Sequence, residues 1–358
     1  MIGINEIRDS YDVSSVGEIY DRNVEITDLQ ENLGTKGHLL IVRGDKAYAE
    51  SLGNDKDLAN PKFWLYENLI KSLRIEEQLA LNPSHRLFDG VGFSALEALA
   101  FHSQNIGRPA VVVMANEMVP DADFYQRFPN VEVIHASGIM EEGYLKKQAE
   151  ILASRDDLIP LHQALYGARG LAPVGNKIVA KLEEIDLIPD ETFWCIASGS
   201  NLYGIGHKIK AKFPNSRINV VEPTINNTVP PSLDLSNHSE VKRFAQNKLR
   251  NYSLEKWDKR YSGIFPLHVS RANRYLLILW AKTGEIGFDA TFQVPAKESE
   301  RVRQMLKEIN PEFDWTKTTS LSLVPAIESA KQGKNVLIMA YGKNREHMFR
   351  NLIVNEKR

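Results

Sequence analysis

Short apolar runs of strand length alternate with segments of helical periodicity along most of this 358-residue chain. Strands that alternate with helices predict parallel sheets covered on both faces, and therefore an α/β fold. The predicted strands are His38–Val42, Ala110–Met114, Val131–His135, Phe193–Ala197, Ile218–Val221 and Asn335–Tyr341. The predicted helices are Phe63–Leu73, Ser94–Gln104, Tyr144–Ser154, Asn176–Ile185 and Leu321–Ala330.

The clearest single unit is a strand, a polar loop, a helix and a second strand between Phe193 and Pro223. The first apolar run breaks at Ser198-Gly199-Ser200-Asn201, and apolar residues then recur at helical spacing up to Phe213. Such a loop exposes backbone N–H groups at the positive end of the following helix, where a phosphate binds readily. The pattern fits a phosphate site, and it also fits a tightly packed turn that binds nothing.

Composition and charge narrow the class of protein. The length predicts two domains or one large α/β unit, and the 43% apolar content is enough for substantial cores. A net charge of −2 gives no bulk attraction to nucleic acid or to a membrane. Cys195 is the only cysteine, which excludes an internal disulfide, and its apolar surroundings predict a buried structural thiol.

The sequence shows no pattern typical of a signal peptide or of a membrane-spanning helix. The first residues are polar and acidic, unlike a signal peptide, and the apolar run Tyr275–Ala281 is too short to span a bilayer. We therefore expect a cytoplasmic protein with no membrane partner.

Several familiar site motifs are absent. Gly199, Gly204 and Gly206 do not have dinucleotide-binding spacing, and no phosphate-binding Walker sequence occurs. The nine histidines show neither metalloprotease spacing nor paired cysteines, so no metal site is expected.

Five short sequences follow one another in a suggestive order. They are Asn60-Pro61-Lys62-Phe63, Val91-Gly92-Phe93-Ser94, Ala110–Met114, Ser198-Gly199-Ser200-Asn201 and Val220–Pro223. From about Leu40 to Gly342, this order resembles the fold-type II pyridoxal-phosphate enzymes. That family includes cysteine synthase, threonine synthase, the tryptophan synthase β subunit and aminocyclopropane-carboxylate deaminase.

The resemblance implies an α/β fold of two domains, each with a twisted, mainly parallel sheet flanked by helices. It implies a small N-terminal domain at residues 56–158, and a larger phosphate-binding domain formed by residues 1–55 and 159–358. The cofactor, pyridoxal 5'-phosphate, would lie in the cleft between them. The family is commonly dimeric, so a homodimer is expected.

Lys62 is the residue that the resemblance makes catalytic. The family's lysine forms an imine with the cofactor aldehyde and later acts as the base at the substrate Cα. Burial and nearby cations suit a lysine to this role, because they lower the pKa of its amine. Lys56 is the next candidate, and an ordinary solvated lysine at a helix start is the alternative interpretation.

The same resemblance assigns further contacts with the cofactor. The phosphate group would bind Ser198, Gly199, Ser200, Asn201 and Leu202, and the ring would lie near Phe93 and Ser94. Ala340 or Tyr341 stands where the family has a Ser or Thr at the ring nitrogen, and Thr319, Ser320 and Ser322 are possible substitutes.

Phe93 departs from the family's pattern, because it replaces an asparagine. It can stack on a ring but cannot donate the asparagine's hydrogen bond. With the change at the last strand, this leaves three outcomes open: altered chemistry, a repositioned cofactor or loss of the cofactor.

Residues 242–260 interleave basic side chains with Phe244, Tyr252 and Trp257. This mixture can bind phosphates and stack on bases, although a solvated amphipathic helix has the same composition. Asp89 sits on the turn before Ser94, where the family binds a substrate carboxylate, and it would repel a free one. Together these features suggest an amino acid linked to a nucleotide or nucleic acid.

The sequence therefore predicts a pyridoxal-phosphate-dependent lyase or transferase that acts on an amino acid. β-Elimination or β-replacement is the expected chemistry, with decarboxylation or deamination as alternatives. The competing hypothesis is a non-catalytic relative that keeps the fold as a binding protein.

Overall fold

The computed structural model describes residues 4–17, 24–44, 61–116, 118–136, 141–224, 229–251, 274–311 and 315–341. Its strands are β1 (Val24–Asp28), β2 (Leu39–Gly44), β3 (Arg86–Gly90), β4 (Ala110–Ala115), β5 (Val131–Ala136), β6 (Leu158–Pro160), β7 (Glu191–Cys195), β8 (Arg217–Pro223), β9 (Ala290–Val294) and β10 (Val336–Met339).

The helices alternate with these strands for most of the chain. They span Ile4–Tyr11, Gln30–Leu33, Pro61–Ser72, Ile75–Leu81, Phe93–Asn105, Ala122–Arg127, Glu141–Ser154, Gln163–Glu184, His207–Lys212, His238–Arg250, Arg274–Thr283, Ala296–Ile309 and Lys317–Lys331, with a π-helical turn at Leu202–Gly206. Three of them are named below: the N-terminal helix (Ile4–Tyr11), the lysine helix (Pro61–Ser72) and the central helix (Gln163–Glu184).

The strands form two sheets. One has four strands in the order β5-β4-β3-β6, all parallel, and the other has six in the order β1-β2-β10-β7-β8-β9. The α/β class with helix-flanked, mainly parallel sheets is confirmed. Among the described strands, only the edge strand β1 departs from the parallel arrangement, because it pairs antiparallel with β2. The domain boundaries at residues 56 and 158 stay a prediction.

Alternating side chains of the six-stranded sheet enter two separate cores. Leu337 and Met339 of β10 lie in the larger core cluster, which also contains Trp194 and Leu202. Ile338 and Ala340 lie in a second cluster, with apolar residues of the helices Ala296–Ile309 and Lys317–Lys331. Successive residues of a strand point to opposite faces, so both faces of this sheet are covered.

The central helix is much longer than the sequence predicted, because it begins at Gln163 rather than at Asn176. Its first half contains Gly167, Gly170 and Pro173, residues of low intrinsic helix propensity. Burial of Leu165, Ala168 and Leu171 stabilises this half through tertiary packing.

Glycines of the central helix permit two close helix crossings. A Cβ on Gly170 would lie 2.8 Å from the backbone oxygen of Leu65 in the lysine helix. A Cβ on Gly175 would lie 2.8 Å from Lys208 Cβ, in the helix that follows β7. The central helix therefore packs closely on the lysine helix and on the helix His207–Lys212.

We expect Gly170→Ala to destabilise the protein by about 1–3 kcal/mol, because the added methyl meets backbone that cannot rotate away. Urea unfolding measures the loss. Arg169→Ala, at the exposed neighbouring position of the same helix, is the control and should change stability little. Equal stability of the two variants would contradict close packing at this crossing.

Candidate active site

Lys62 is the second residue of the lysine helix, directly after Pro61, which fits the first helical position because it lacks an N–H. Its side chain is half-buried, and its Nζ donates a hydrogen bond to Oε1 of Gln163. Gln163 is the first residue of the central helix. The alternative candidate Lys56 and the motif residue Asn60 lie outside the described residues.

Asp89 lies in β3 and is only 2% exposed. One of its carboxylate oxygens accepts hydrogen bonds from Tyr66 Oη at 2.9 Å and from the Gln163 backbone N–H at 3.0 Å. The other accepts from the Gly90 N–H at 2.8 Å. The expectation that Asp89 faces and repels a substrate carboxylate is therefore corrected, since three donors hold its side chain inside the protein.

Burial shifts the protonation of both ionisable groups toward neutrality. It lowers the pKa of Lys62 to about 8, with the charge of Asp89 acting in the opposite direction. It raises the pKa of Asp89 to about 7, against the hydrogen bonds from Gln163, Tyr66 and Gly90 and the charge of Lys62. Lys62 thus has a neutral amine at far lower pH than an ordinary lysine.

Residues 196–199 join β7 to a helical segment that runs from residue 200 to residue 212, so the predicted phosphate loop at residues 198–202 ends within the first turn of that segment. Gly199 has a φ of +80°, and a Cβ there would lie 2.7 Å from Leu276 Cδ1, so the loop requires glycine. Ser198 and Ser200 hydroxyls bond each other at 2.6 Å. The Leu202 side chain is fully buried in the core, so only its backbone is available to a ligand.

Gly167 brings this loop to Lys62. A Cβ on Gly167 would collide with Ser200 Oγ and would lie 3.0 Å from Leu65 Cδ1 of the lysine helix. Gly167 is four residues after Gln163, which is about 6 Å along a helix. The first turns of the central helix therefore contact Lys62 and the loop at neighbouring positions.

Ala340 and Tyr341, directly after β10, face different surroundings. The Ala340 methyl is fully buried in the second core cluster, away from the cluster that holds Leu202. Tyr341 Oη and Asn201 Oδ1 are buried oxygens without a hydrogen bond among the described residues. Burial raises the pKa of Tyr341 well above its usual range, while the Asn201 amide acts to lower it, so the two side chains are neighbours.

Thr319, Ser320 and Ser322, the possible substitutes near the last strand, each make a polar contact inside the protein. Thr319 Oγ1 accepts the Tyr341 backbone N–H at 2.9 Å, and Ser320 Oγ donates to the Thr316 carbonyl at 2.8 Å. Ser322 Oγ lies 3.2 Å from Cys195 Sγ. All three residues are buried, and the Ser322 contact with Cys195 joins the helix Lys317–Lys331 to β7.

Phe93 and Ser94 occupy the first turn of the helix Phe93–Asn105, and Ser94 is exposed. Gly92 caps this helix in an extended conformation with no side-chain hydrogen bond to the first turn. The Ala95 and Leu96 N–H groups donate to the Gly92 carbonyl at 3.1 and 2.8 Å, so the N-terminal end of this helix lies directly after β3. An anion is stabilised at such a position.

The remaining candidate groups have structural roles in the described part of the chain. Cys195 is buried, and burial raises the pKa of its thiol to about 12, as expected for an inert cysteine. Phe244 packs against the larger core rather than projecting into solvent, while Tyr252 and Trp257 lie outside the described residues.

Neither a metal site nor a membrane span is found where the structure is described. Those ranges contain no group of three or more His, Cys, Asp or Glu side chains arranged to hold a metal ion. Within them, no helix has the length and apolarity needed to cross a bilayer.

The sequence contained no distinct signal for Gln163, Tyr66 or the contacts of Asp89. Gln163 begins a helix whose glycine-rich first half escaped prediction. Tyr66 lies one turn after Lys62, where an aromatic residue is also an ordinary core residue.

Several solved structures share this fold. O-Acetylserine sulfhydrylase isoform 3 of Entamoeba histolytica superposes with a TM-score of 0.64 at 13% identity, covering 95% of this chain and 90% of that one. A hydrogen sulfide-producing enzyme of Fusobacterium nucleatum gives 0.61 at 14% identity, covering 97% and 92%. A point mutant of a hydrogen sulfide-producing enzyme, complexed with an alpha-aminoacrylate intermediate, gives 0.61 at 17% identity, with the same coverage.

Sequence comparison adds no assignment. No model of a known protein family matches this chain, and no curated protein matches it. The likeness of three-dimensional structure therefore establishes the fold, the one that the sequence motifs resembled.

We expect the reaction of Lys62 with an amine-acylating reagent to accelerate with pH and to level off above about pH 8, because only the neutral amine attacks. Asp89→Asn removes the charge that raises the pKa of Lys62, so the plateau should begin at lower pH. Peptide mapping of the acylated protein at each pH measures both profiles.

Asp123→Asn, a surface change on another helix, is the matched control and should leave the Lys62 profile where it is. A wild-type rate that still rises toward pH 10, or profiles that coincide in wild type and Asp89→Asn, would contradict the proposed electrostatics.

Proposed function

We propose that this chain is a pyridoxal-phosphate-dependent enzyme that acts on an amino acid, by β-elimination or β-replacement. The observation that carries the proposal is the convergence of two features on the first turns of the central helix. One is Lys62, whose pKa is lowered to about 8, and the other is the Gly199 loop. An amine and an anion-binding loop that contact neighbouring turns of one helix suit a ligand that carries an aldehyde at one end and a phosphate at the other.

The residues present fit such a ligand. Gly199 in a left-handed conformation and the first-turn N–H groups of the helical segment that begins at residue 200 provide a cradle for a phosphate. Tyr341 Oη and Asn201 Oδ1 are buried polar atoms that lack a hydrogen bond in the described structure, and a polar heterocycle would satisfy them. Tyr341 takes the place at the ring that Ala340 was expected to hold.

Pyridoxal phosphate, when bound, supplies an electrophilic aldehyde and a ring that accepts electron density from a substrate Cα. Lys62 would hold the cofactor through its amine and would act as the base that takes the proton from the substrate Cα. Gln163 orients the Lys62 Nζ through its Oε1. Asp89 accepts hydrogen bonds from the Gln163 backbone N–H and from the Tyr66 hydroxyl, and its negative charge lies close to the amine.

The substrate carboxylate finds its site at the first turn of the helix Phe93–Asn105. Gly92 adds no side-chain cap there, and the buried Asp89 carboxylate is directed into its own donors rather than toward this turn. A free amino acid is therefore accommodated. An assay with O-acetylserine separates the reaction types, since elimination releases pyruvate and replacement yields a product that contains the added thiol.

An amino acid linked to a nucleotide or nucleic acid is a more specific hypothesis for the substrate. Two of the features that suggested it have structural roles instead. Asp89 is held by internal donors, and Phe244 belongs to the core. Basic residues of the helix His238–Arg250 remain its support. We therefore favour a free amino acid as the substrate.

Wild-type protein incubated with pyridoxal phosphate should turn yellow, and borohydride should then fix a pyridoxyl group on Lys62, because its amine is the one with a lowered pKa near the loop. Peptide mapping locates the label. Lys62→Ala should lose both colour and label, whereas Lys71→Ala, an exposed position of the same helix, should keep both. A label on Lys56 would overturn the assignment to Lys62, and a colourless wild type would overturn the cofactor.

Gly199→Ala should weaken pyridoxal-phosphate binding by at least about tenfold, since a residue with a Cβ at positive φ costs roughly 1–2 kcal/mol and the methyl also meets Leu276. Equilibrium titration of the absorbance measures the affinity. Gly17→Ala is the matched control, because a Cβ there meets nothing within 4 Å. Unchanged affinity in Gly199→Ala would remove the phosphate from this loop.

A further inference from the structure

The N-terminal helix reaches the 198–202 loop through one side chain. Tyr11, the last residue of that helix, is 4% exposed. Its Oη lies 3.0 Å from the Ser198 carbonyl oxygen and 3.1 Å from the Ala164 carbonyl oxygen of the central helix. A phenol has one O–H to donate, so the two carbonyls share it at the meeting point of three elements.

Contacts with Tyr203 also fix the position of the Tyr11 side chain. The Tyr11 ring packs edge-on against Tyr203 at a centroid distance of 5.1 Å. Tyr203 Oη donates to the Ile286 carbonyl at 2.7 Å and accepts from Trp280 Nε1 at 2.8 Å, so its own position is fixed. Tyr11 therefore has a defined location relative to the loop.

Because the peptide bond is planar, the Tyr11 hydrogen bond to the Ser198 carbonyl also sets the direction of the Gly199 N–H. The Ser198 carbonyl and the Gly199 N–H belong to one planar trans peptide, in which C=O and N–H point in opposite directions. Holding the carbonyl on the Tyr11 side consequently directs the Gly199 N–H to the other side. Gly199, at a φ of +80°, is the residue of the loop with the greatest backbone freedom, so this peptide is the one that needs an external anchor.

We infer that Tyr11 is a positioning residue for phosphate, which orients the Ser198–Gly199 peptide so that its N–H points into the anion site. The inference rests on the proposed function, because it concerns how that site binds the phosphate of its cofactor. Tyr11 acts through the loop and touches neither the aldehyde end nor Lys62, so its effect is confined to ligands that carry a phosphate.

The test compares pyridoxal phosphate with pyridoxal, which lacks the phosphate, in wild type and in Tyr11→Phe. The hydroxyl is lost while the ring contact with Tyr203 is kept. Affinity for pyridoxal phosphate should fall about tenfold, the order expected when one hydrogen bond to a preorganised peptide is removed. Affinity for pyridoxal should stay within twofold, and inorganic phosphate should become a weaker competitor.

Tyr166→Phe is the matched control. Its phenol also ties the N-terminal helix to the central helix, through a 2.5 Å hydrogen bond to Glu6, but it makes no bond to the loop. Both ligands should bind this variant as they bind wild type. If Tyr11→Phe does not fold, Tyr11→Met, which also lacks the hydroxyl, repeats the comparison.

The outcomes separate this inference from the proposed function. Wild type that binds no pyridoxal phosphate defeats both. Wild type that binds it, with Tyr11→Phe equal to wild type, defeats only the role of Tyr11. An equal loss for both ligands, or failure of both variants to fold, shows a role in the core and also overturns the inference.

Discussion

The close packing of the central helix is the constraint on which the rest of the structure depends. Its glycines let the lysine helix and the helical segment after β7 approach to distances that any side chain would prevent. Gly170 admits the backbone of the lysine helix, and Gly167 admits Ser200 of the loop. Lys62 and the loop come from distant parts of the sequence, and this one helix fixes their separation. The low helix propensity of its glycines is offset by the burial that their small size permits.

The second feature of the site is the pair of opposite charges, Lys62 and Asp89, at the start of the same helix. Asp89 and Lys62 are held near one another, and Gln163 bonds the carboxylate with its backbone and the amine with its side chain. Burial of a single charge would simply neutralise it, whereas a pair of opposite charges keeps both groups close to the neutral pH range. Lys62 is therefore able to exchange a proton at physiological pH, as the role proposed for its amine requires.

Much of the fold was accessible from the sequence, because apolar runs and helical spacing are local signals. The strands β4, β5, β7 and β8, the loop at 198–202 and the lysine helix follow from them. The first half of the central helix did not, since its glycines lower local propensity and their benefit arises only when distant elements pack against them. Gln163 and the internal role of Asp89 were not predicted either, because their contacts also join distant parts of the chain. The sequence offered Ala340 or Tyr341 for the position at the ring. Which of the two faces the larger core depends on how the last strand lies in the sheet, and the sequence alone does not give that.

The measurement that tests this account most directly is a crystal structure of the protein after incubation with pyridoxal phosphate and reduction with borohydride. The account predicts continuous density from Lys62 Nζ to a phosphate that the Gly199 N–H and the helix after it contact, with Tyr341 Oη at the ring. Density for the cofactor that is joined to another lysine, or a phosphate held away from residues 198–202, would contradict the claim that the central helix brings these two features together for catalysis.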